Sequence, residues 1–295
     1  MKRNQRNGLL FCLPWLIGLS VFTAYPVFAS LFYSFCDYSV LQSPVWAGTE
    51  NYRRMAHDSV FWLSLRNTFV FALMSLPLGT VVALSLALLL NTEVRGMPVF
   101  RTIFYLPSIV PLVANAMLWL WIFNGQFGLL NWALRPAFHL FGATPPAWLG
   151  DPRWAKPALA LMSAWGVGNS MIIYLAGLQN VPKELYEAAE IDGARTWRKF
   201  WHITLPLISP VLYFNLVMGI IGTLQQFTTV YAISGSADGN PARSTLFYAL
   251  YLFSTAFYDL RMGYASAMAW VLFLIIVALT IAATKLMEKR VHYAG

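Results

Sequence analysis

Apolar and polar positions along this chain fall into long blocks rather than a short alternation. Six blocks are almost wholly apolar over the roughly 20 residues that a helix needs to cross a bilayer. They lie at residues 9–35, 68–90, 103–123, 158–178, 207–234 and 264–284. The pattern predicts an all-α polytopic membrane protein with six transmembrane helices in one domain, residues 1–295. The first block, opening "MKRNQRNGLLFCLPW" and passing through "VFAS", imitates a secretory signal with a cleavage site. Its apolar run continues through Leu31, Phe32 and Phe35, so it reads as a retained span.

One polar block differs from the rest. Residues 180–206, between the fourth and fifth spans, hold eight charged side chains: Lys183, Glu184, Glu187, Glu190, Asp192, Arg195, Arg198 and Lys199. Four are positive and four negative, which argues against a basic anchor and for a surface that meets another protein. The strip reads as helix, turn, helix. Pro182 suits a first turn, where Glu184 and Glu187 complement the positive helix end. Leu185, Ala188 and Ala189 share a face, and the alanines allow close approach. Gly193 falls where a helix C-cap needs a left-handed residue. Thr196 is placed to cap a second helix with Trp197, Phe200 and Trp201 as its apolar face, and Pro206 marks entry to the fifth span. On the residues alone, two readings stay open: a capped hairpin lying on the membrane surface, and a docking element.

Composition agrees with the block pattern. Hydrophobic residues make up 58% and charged residues 11%, with a mean hydropathy of +0.58. That leaves too little polar surface for a water-soluble globule. The 16 prolines and 19 glycines suit helices that kink and pack closely in lipid. Cys12 and Cys36 stand at opposite ends of the first span, roughly 36 Å apart if it is helical, beyond disulfide reach. Neither they nor the scattered histidines have metal-ligand spacing.

Six crossings put both termini on one side. The termini with the second and fourth connections carry twelve basic residues: Lys2, Arg3, Arg6, Arg95, Arg101, Lys183, Arg195, Arg198, Lys199, Lys285, Lys289 and Arg290. The other connections, which include the longer segments 37–67, 124–157 and 235–263, carry eight. The excess places the termini and the charged strip in the cytoplasm. The pI of 9.6 then reflects topology. No basic stripe interleaved with aromatics points to nucleic acid.

The strip resembles the EAA loop of ABC importer permeases, whose pattern is Glu-Ala-Ala, three residues, Gly, nine residues, Ile, one residue, Leu-Pro. Glu187-Ala188-Ala189, Gly193, Ile203 and Leu205-Pro206 match it at every position. The stretch "PKELYEAAEIDGARTWRKFWHITLPLISP", with its Asp192-Gly193, looks like the carbohydrate-importer branch. "FTAYPVFASLFYSFCDYS", "GTENYRRMAHDSVFWLSLRNTFVF", "RTIFYLPSIVP" and "STLFYALYLFSTAFYDLRMGYASAMAW" resemble segments of the MalF-like permease, so the likeness covers nearly the whole chain. One segment departs: where the family often has Gly-Gly-Pro after the fifth span, this chain reads "SGSADGNPARST", which leaves the shape of that outer loop open.

The resemblance implies a subunit of the prokaryotic inner membrane that is not itself an enzyme. In the family the EAA loop is the coupling helix, seated in a cleft of a cytoplasmic ATPase dimer. This chain has no GxxxxGK[ST] phosphate loop. ATP and Mg therefore belong to that separate subunit, and this chain needs no cofactor. The further partners implied are a second, MalG-like permease subunit and an extracytoplasmic solute-binding protein.

A solute route needs polar or small side chains facing the protein interior. At 100° per residue, Asn215, Gly219, Gly222, Gln226 and Thr229 fall on one stripe of the fifth span, flanked by Gln225 and Phe227. The fourth span offers Gly166, Asn169, Ser170 and Gly177. The third offers Ser108, Pro111, Asn115 and Trp119. "TLQQFTTV" resembles the family segment that meets sugar, which singles out Gln225, Gln226 and Phe227, with Asn169 and Ser170 on the fourth span. Amides, hydroxyls and aromatic faces suit sugar hydroxyls and ring faces. Helix packing is the competing role for these small and amide residues.

The leading expectation is a permease subunit that imports a sugar or oligosaccharide at the expense of ATP. A polyol, peptide or amino-acid solute is the nearer alternative. A secondary transporter is the more distant one, and would show inverted repeats, broken helices and an intramembrane Asp or Glu. None of these is evident in the sequence.

Overall fold

The computed structural model of the chain describes residues 2–140 and 142–288; Lys289 and Arg290, counted above, lie outside them. Helix dominates. Among the described residues, four helical segments are long and apolar enough to cross a membrane: Phe11–Ser34, Ser59–Leu90, Ser209–Ser234 and Met262–Met287. Two more candidate spans are bent pairs. Met97–Ile109 and Leu112–Ile122 meet at 97°, and Pro152–Trp165 and Gly168–Gln179 at 50°. The third and fourth apolar blocks, expected as single helices, are therefore broken.

The bends have local causes. In the third block Pro107 and Pro111 flank the break, and Pro111 has an extended ψ of 138°. A proline lacks the N–H that a continuing helix requires, and it disfavours helix in the residue before it. In the fourth block the break falls at Gly166 and Val167, with Gly168 opening the next helix. Prolines also shape helices that do not break. Single π-helical turns at Ser20–Ala24 and Phe200–Thr204 run directly into Pro26 and Pro206. The wider turn moves the carbonyl with which the proline ring would otherwise collide.

The chain divides into two compact units. One comprises residues 1–61 and 252–274. In it the expectation of an all-α chain needs a small correction, because the connection after the first span opens with a hairpin. Strands β1 (Cys36–Ser39) and β2 (Gln42–Trp46) pair antiparallel, with Cys36 opposite Trp46 and a register shift between Asp37 and Ser39. Asn51 fastens it, its amide donating to the carbonyls of Ser34 (3.0 Å) and Cys36 (2.8 Å). Tyr33 stacks on Tyr38, and Phe35 on Trp46. No residue from Phe11 to Tyr33 is buried, so this span is built to be covered by lipid or another subunit.

The second unit comprises residues 62–251 and 275–295. Its core packs Ala83, Ala87 and Leu90 of the second span against Met171, Tyr174, Leu175 and Leu178 of the fourth, with Val181 and Ile208. Small residues set the spacing, as is usual between helices in lipid. A Cβ on Gly177 would stand 2.8 Å from a methyl of Val211. The loop after the fifth span, read as "SGSADGNPARST", is tied to the second span. Asn67 donates to the carbonyls of Arg243 (2.9 Å) and Leu246 (3.2 Å), Thr68 Oγ1 accepts from the Tyr248 amide (2.8 Å), and Phe71 stacks on Phe247.

Candidate functional site

The charged strip folds as helix, turn, helix. Its first helix is Lys183–Ile191, with Pro182 at the cap, one position before the expected first turn. Gly193 has φ +75°, the left-handed value its position called for. The Gly193 amide donates to Glu190 O (3.0 Å) and the Ala194 amide to Ala189 O (2.8 Å), the paired bonds of a Schellman cap. The second helix starts at Thr196, but Arg195 occupies its cap and no side chain bonds there, so Thr196 is not the cap. From Lys199 the chain winds through the π turn, which holds Ile203, into Leu205–Leu207, which holds Pro206.

Two side-chain links brace the turn. Tyr186 Oη and Thr204 Oγ1 lie 2.9 Å apart, and Lys199 Nζ meets Glu190 Oε1 at 2.6 Å. The outer face carries exposed Leu185, Glu187, Ala188, Asp192 and Arg195, with Ile191 88% exposed. Glu187, Asp192, Arg195 and Arg198 form no ion pair among the described residues. Beside the strip, Trp197, Phe200 and Trp201 cluster and, with Val81, Leu84 and Leu88 of the second span, line a crevice of about 810 Å³. On the neighbouring connection, Arg101 donates to Leu90 O (2.9 and 3.3 Å), satisfying a carbonyl at the end of the second-span helix.

The expected stripe on the fifth span is interrupted. Ser209–Leu224 ends, Phe227 takes φ −134° and ψ −63°, and Thr228–Ser234 begins a new helix. Asn215, Gly219 and Gly222 share a face, but Gln226 and Thr229 do not continue it, because the 100° projection assumed one unbroken helix. Members of the stripe also differ in role. Asn215 bonds its own helix at Val211 O (3.0 Å), and a Cβ on Gly219 would press on Leu76, whereas Gly222 faces open space. Gln225 is exposed, Gln226 and Phe227 are partly buried, and Phe227 stacks on Tyr231. In the fourth span, exposed Asn169 and partly buried Ser170 sit just past the bend.

The breaks are brought together. A Cβ on Gly168 would lie 2.8 Å from Ser108 Oγ and 3.1 Å from Tyr105 Cα, so the third and fourth spans touch where they bend. Leu112–Ile122 of the third span packs against Thr228–Ser234 of the fifth. Irregular backbone at membrane depth is tolerated where protein or a cavity satisfies its freed polar groups. Broken helices were expected only of a secondary transporter, so their presence removes that criterion. The candidate spans still contain no Asp or Glu.

Residues 75–293 match the family model described as binding-protein-dependent transport system inner membrane component. The chain is 41% identical to the probable ABC transporter permease protein YesP of Bacillus subtilis, over 99% of this chain and 94% of that one. It is 37% identical to the lactose transport system permease protein LacF of Rhizobium radiobacter, over 93% and 91%. A chain of the bacterial alginate ABC transporter, solved in complex with an alginate pentasaccharide-bound periplasmic protein, shares its fold. The TM-score is 0.77 at 23% identity, covering 98% of this chain and 96% of that one. With a family match over most of its length, this chain belongs to the inner membrane components of binding-protein-dependent transport systems, the permeases of ABC importers.

Proposed function

We infer that the chain is one of two different permease subunits of an ATP-driven sugar importer, crossing the inner membrane six times with both termini in the cytoplasm. Each bent pair counts as one span in this reading. The observation that carries it is the exposed strip face, on which Glu187, Asp192 and Arg195 have no ion-pair partner among the described residues while its turn is firmly built. Glu187, Ala188, Ala189, Asp192 and Gly193 form the face presented to the ATPase dimer. Ile203, Leu205 and Pro206 join that face to the fifth span.

The solute route runs past the helix breaks, with Gln225, Gln226, Phe227, Gly222, Asn169 and Ser170 as its contacts. A neutral sugar suits these amides, hydroxyl and ring, and the lactose permease relative supports a sugar as cargo. The solute-binding protein delivers from outside. The test is co-expression with a second permease, an ATPase and a binding protein, followed by ATP-dependent uptake of labelled lactose, maltose and trehalose into proteoliposomes. Uptake that needs all four components supports the reading. A transport-competent homo-oligomer of this chain, or uptake of none of these sugars, overturns it.

A further inference from the structure

We propose that Asn115 and Trp119 together grip a single hydroxyl group of the transported sugar. Both lie on the third-span helix Leu112–Ile122, four positions apart and so one turn apart on the same face. Each is only 9% exposed. Asn115 Oδ1 is a buried acceptor and Trp119 Nε1 a buried donor, and neither finds a hydrogen-bond partner among the described residues. Buried polar atoms are nearly always paired, so two orphans of opposite kind on one helical face mark a place for a group from outside the chain. One acceptor and one donor match a hydroxyl, which gives its hydrogen to Oδ1 and accepts the indole N–H. A carboxylate or a phosphate would satisfy only the indole.

Position favours the sugar over a resident water. The helix begins immediately after the 97° bend, and its partner Thr228–Ser234 begins immediately after the break at Gln225–Phe227. The Trp119 ring meets Trp165 edge to face at 5.9 Å, and Trp165, 37% exposed, adjoins the break of the fourth span at Gly166. A partly exposed indole in edge contact with Trp119 supplies an aromatic surface of the kind on which a sugar ring packs, with one hydroxyl directed to the pair. This assignment rests on the sugar-importer reading and adds to it a specificity element on the third span.

The test uses the assembled transporter in proteoliposomes and whichever of lactose, maltose and trehalose the wild type takes up, with monodeoxy analogues of that sugar as competitors. Wild type is expected to discriminate against one analogue by about threefold to tenfold, the worth of a neutral hydrogen bond. Asn115→Leu and Trp119→Phe should each abolish discrimination against that same analogue while leaving the others ranked as before. The double variant should lose no more than either single one. If Trp119→Phe does not assemble, Asn115→Leu, which keeps the amide's branched shape, and Asn115→Thr, close to it in volume, carry the test. Unchanged discrimination in the variants, with or without slower uptake, would overturn the proposal and leave the pair holding a structural water. Absence of wild-type uptake of every sugar would instead bring down the importer reading itself.

Discussion

Tyr186 and Thr204 join the two ends of the charged strip through hydroxyls 2.9 Å apart, with Thr204 only 5% exposed. The first residue stands on the strip's first helix, which we propose meets the ATPase, and the second on the π turn that leads into the fifth span. Force applied at one end therefore has a short path to the other. Tyr186→Phe and Thr204→Val should each weaken the bracing by about 1 kcal/mol, and the double variant should cost little more than either alone. The readout is the ratio of sugar moved to ATP hydrolysed, expected to fall while assembly persists. Fully additive losses would show that the two hydroxyls do not act on each other.

Gly193 is the strip's second constraint. Its φ of +75° is hard for a β-branched residue, although the space around it is open. Gly193→Val should therefore misdirect the second helix without filling any cavity, and Glu187→Lys should reverse a charge on the face we propose docks the ATPase. Both variants are expected in the membrane at normal levels, with lost ATPase binding or with hydrolysis uncoupled from uptake. Assembly, hydrolysis and uptake measured on one preparation separate these outcomes. Normal coupling in both would reduce the strip to a surface hairpin.

Gln225 and Gln226 occupy the break of the fifth span, where a side chain is freed from helical register. Gln226→Ala and Gln225→Ala should raise the KM for sugar uptake about threefold to tenfold each, the scale of one neutral hydrogen bond. Gly222→Ala, facing open space, should assemble normally. If both glutamine variants transport as wild type does over a range of concentrations, the break serves packing alone.

Cys36 tests the hairpin. Its side chain is fully buried, burial pushes its thiol pKa up, and the thiol donates to Phe32 O at 3.4 Å. The reactive thiolate is therefore scarce at pH values that ionise an exposed cysteine. In a Cys12→Ser background, a membrane-impermeant maleimide at pH 8 should label Cys36 slowly in native membranes and rapidly after denaturation. Raising the native sample to pH 9 should add little. Gly263 guards the same spot, since a Cβ there would collide with the Cys36 carbonyl. Gly263→Ala should cost about 1–3 kcal/mol through overpacking and speed labelling of the folded protein.

Much of this was legible in the residues, for identifiable reasons. Hydropathy located the apolar blocks because desolvation in lipid depends on composition. The left-handed Gly193 was readable because a Schellman cap is a local arrangement needing a residue without a side chain. The bends were not read, because block hydropathy is insensitive to direction. Pro107, Pro111 and the Gly166–Gly168 pair carried the signal for two of them. The break at Gln225 has no proline or glycine inside it, and so no local mark. The hairpin after the first span was missed because its strands are short and are held by Asn51, fifteen residues from Cys36. The cap on the second strip helix was misassigned because Thr196 suits that role by type, whereas the backbone enters the helix one residue earlier.

The bends also bear on how the protein is made. Leu112–Ile122 is 11 residues and Gly168–Gln179 is 12, lengths of about 16 and 18 Å against a hydrocarbon thickness of about 30 Å. Neither piece can cross a bilayer alone, and the polar backbone at each break faces no solvent in lipid. The second-span helix, with 32 residues, has ample length to insert as it leaves the ribosome. The third and fourth blocks depend on each other, their breaks meeting at Gly168 and Ser108. These two segments are therefore expected to hold their bent shapes only as a pair, each break covered by the other.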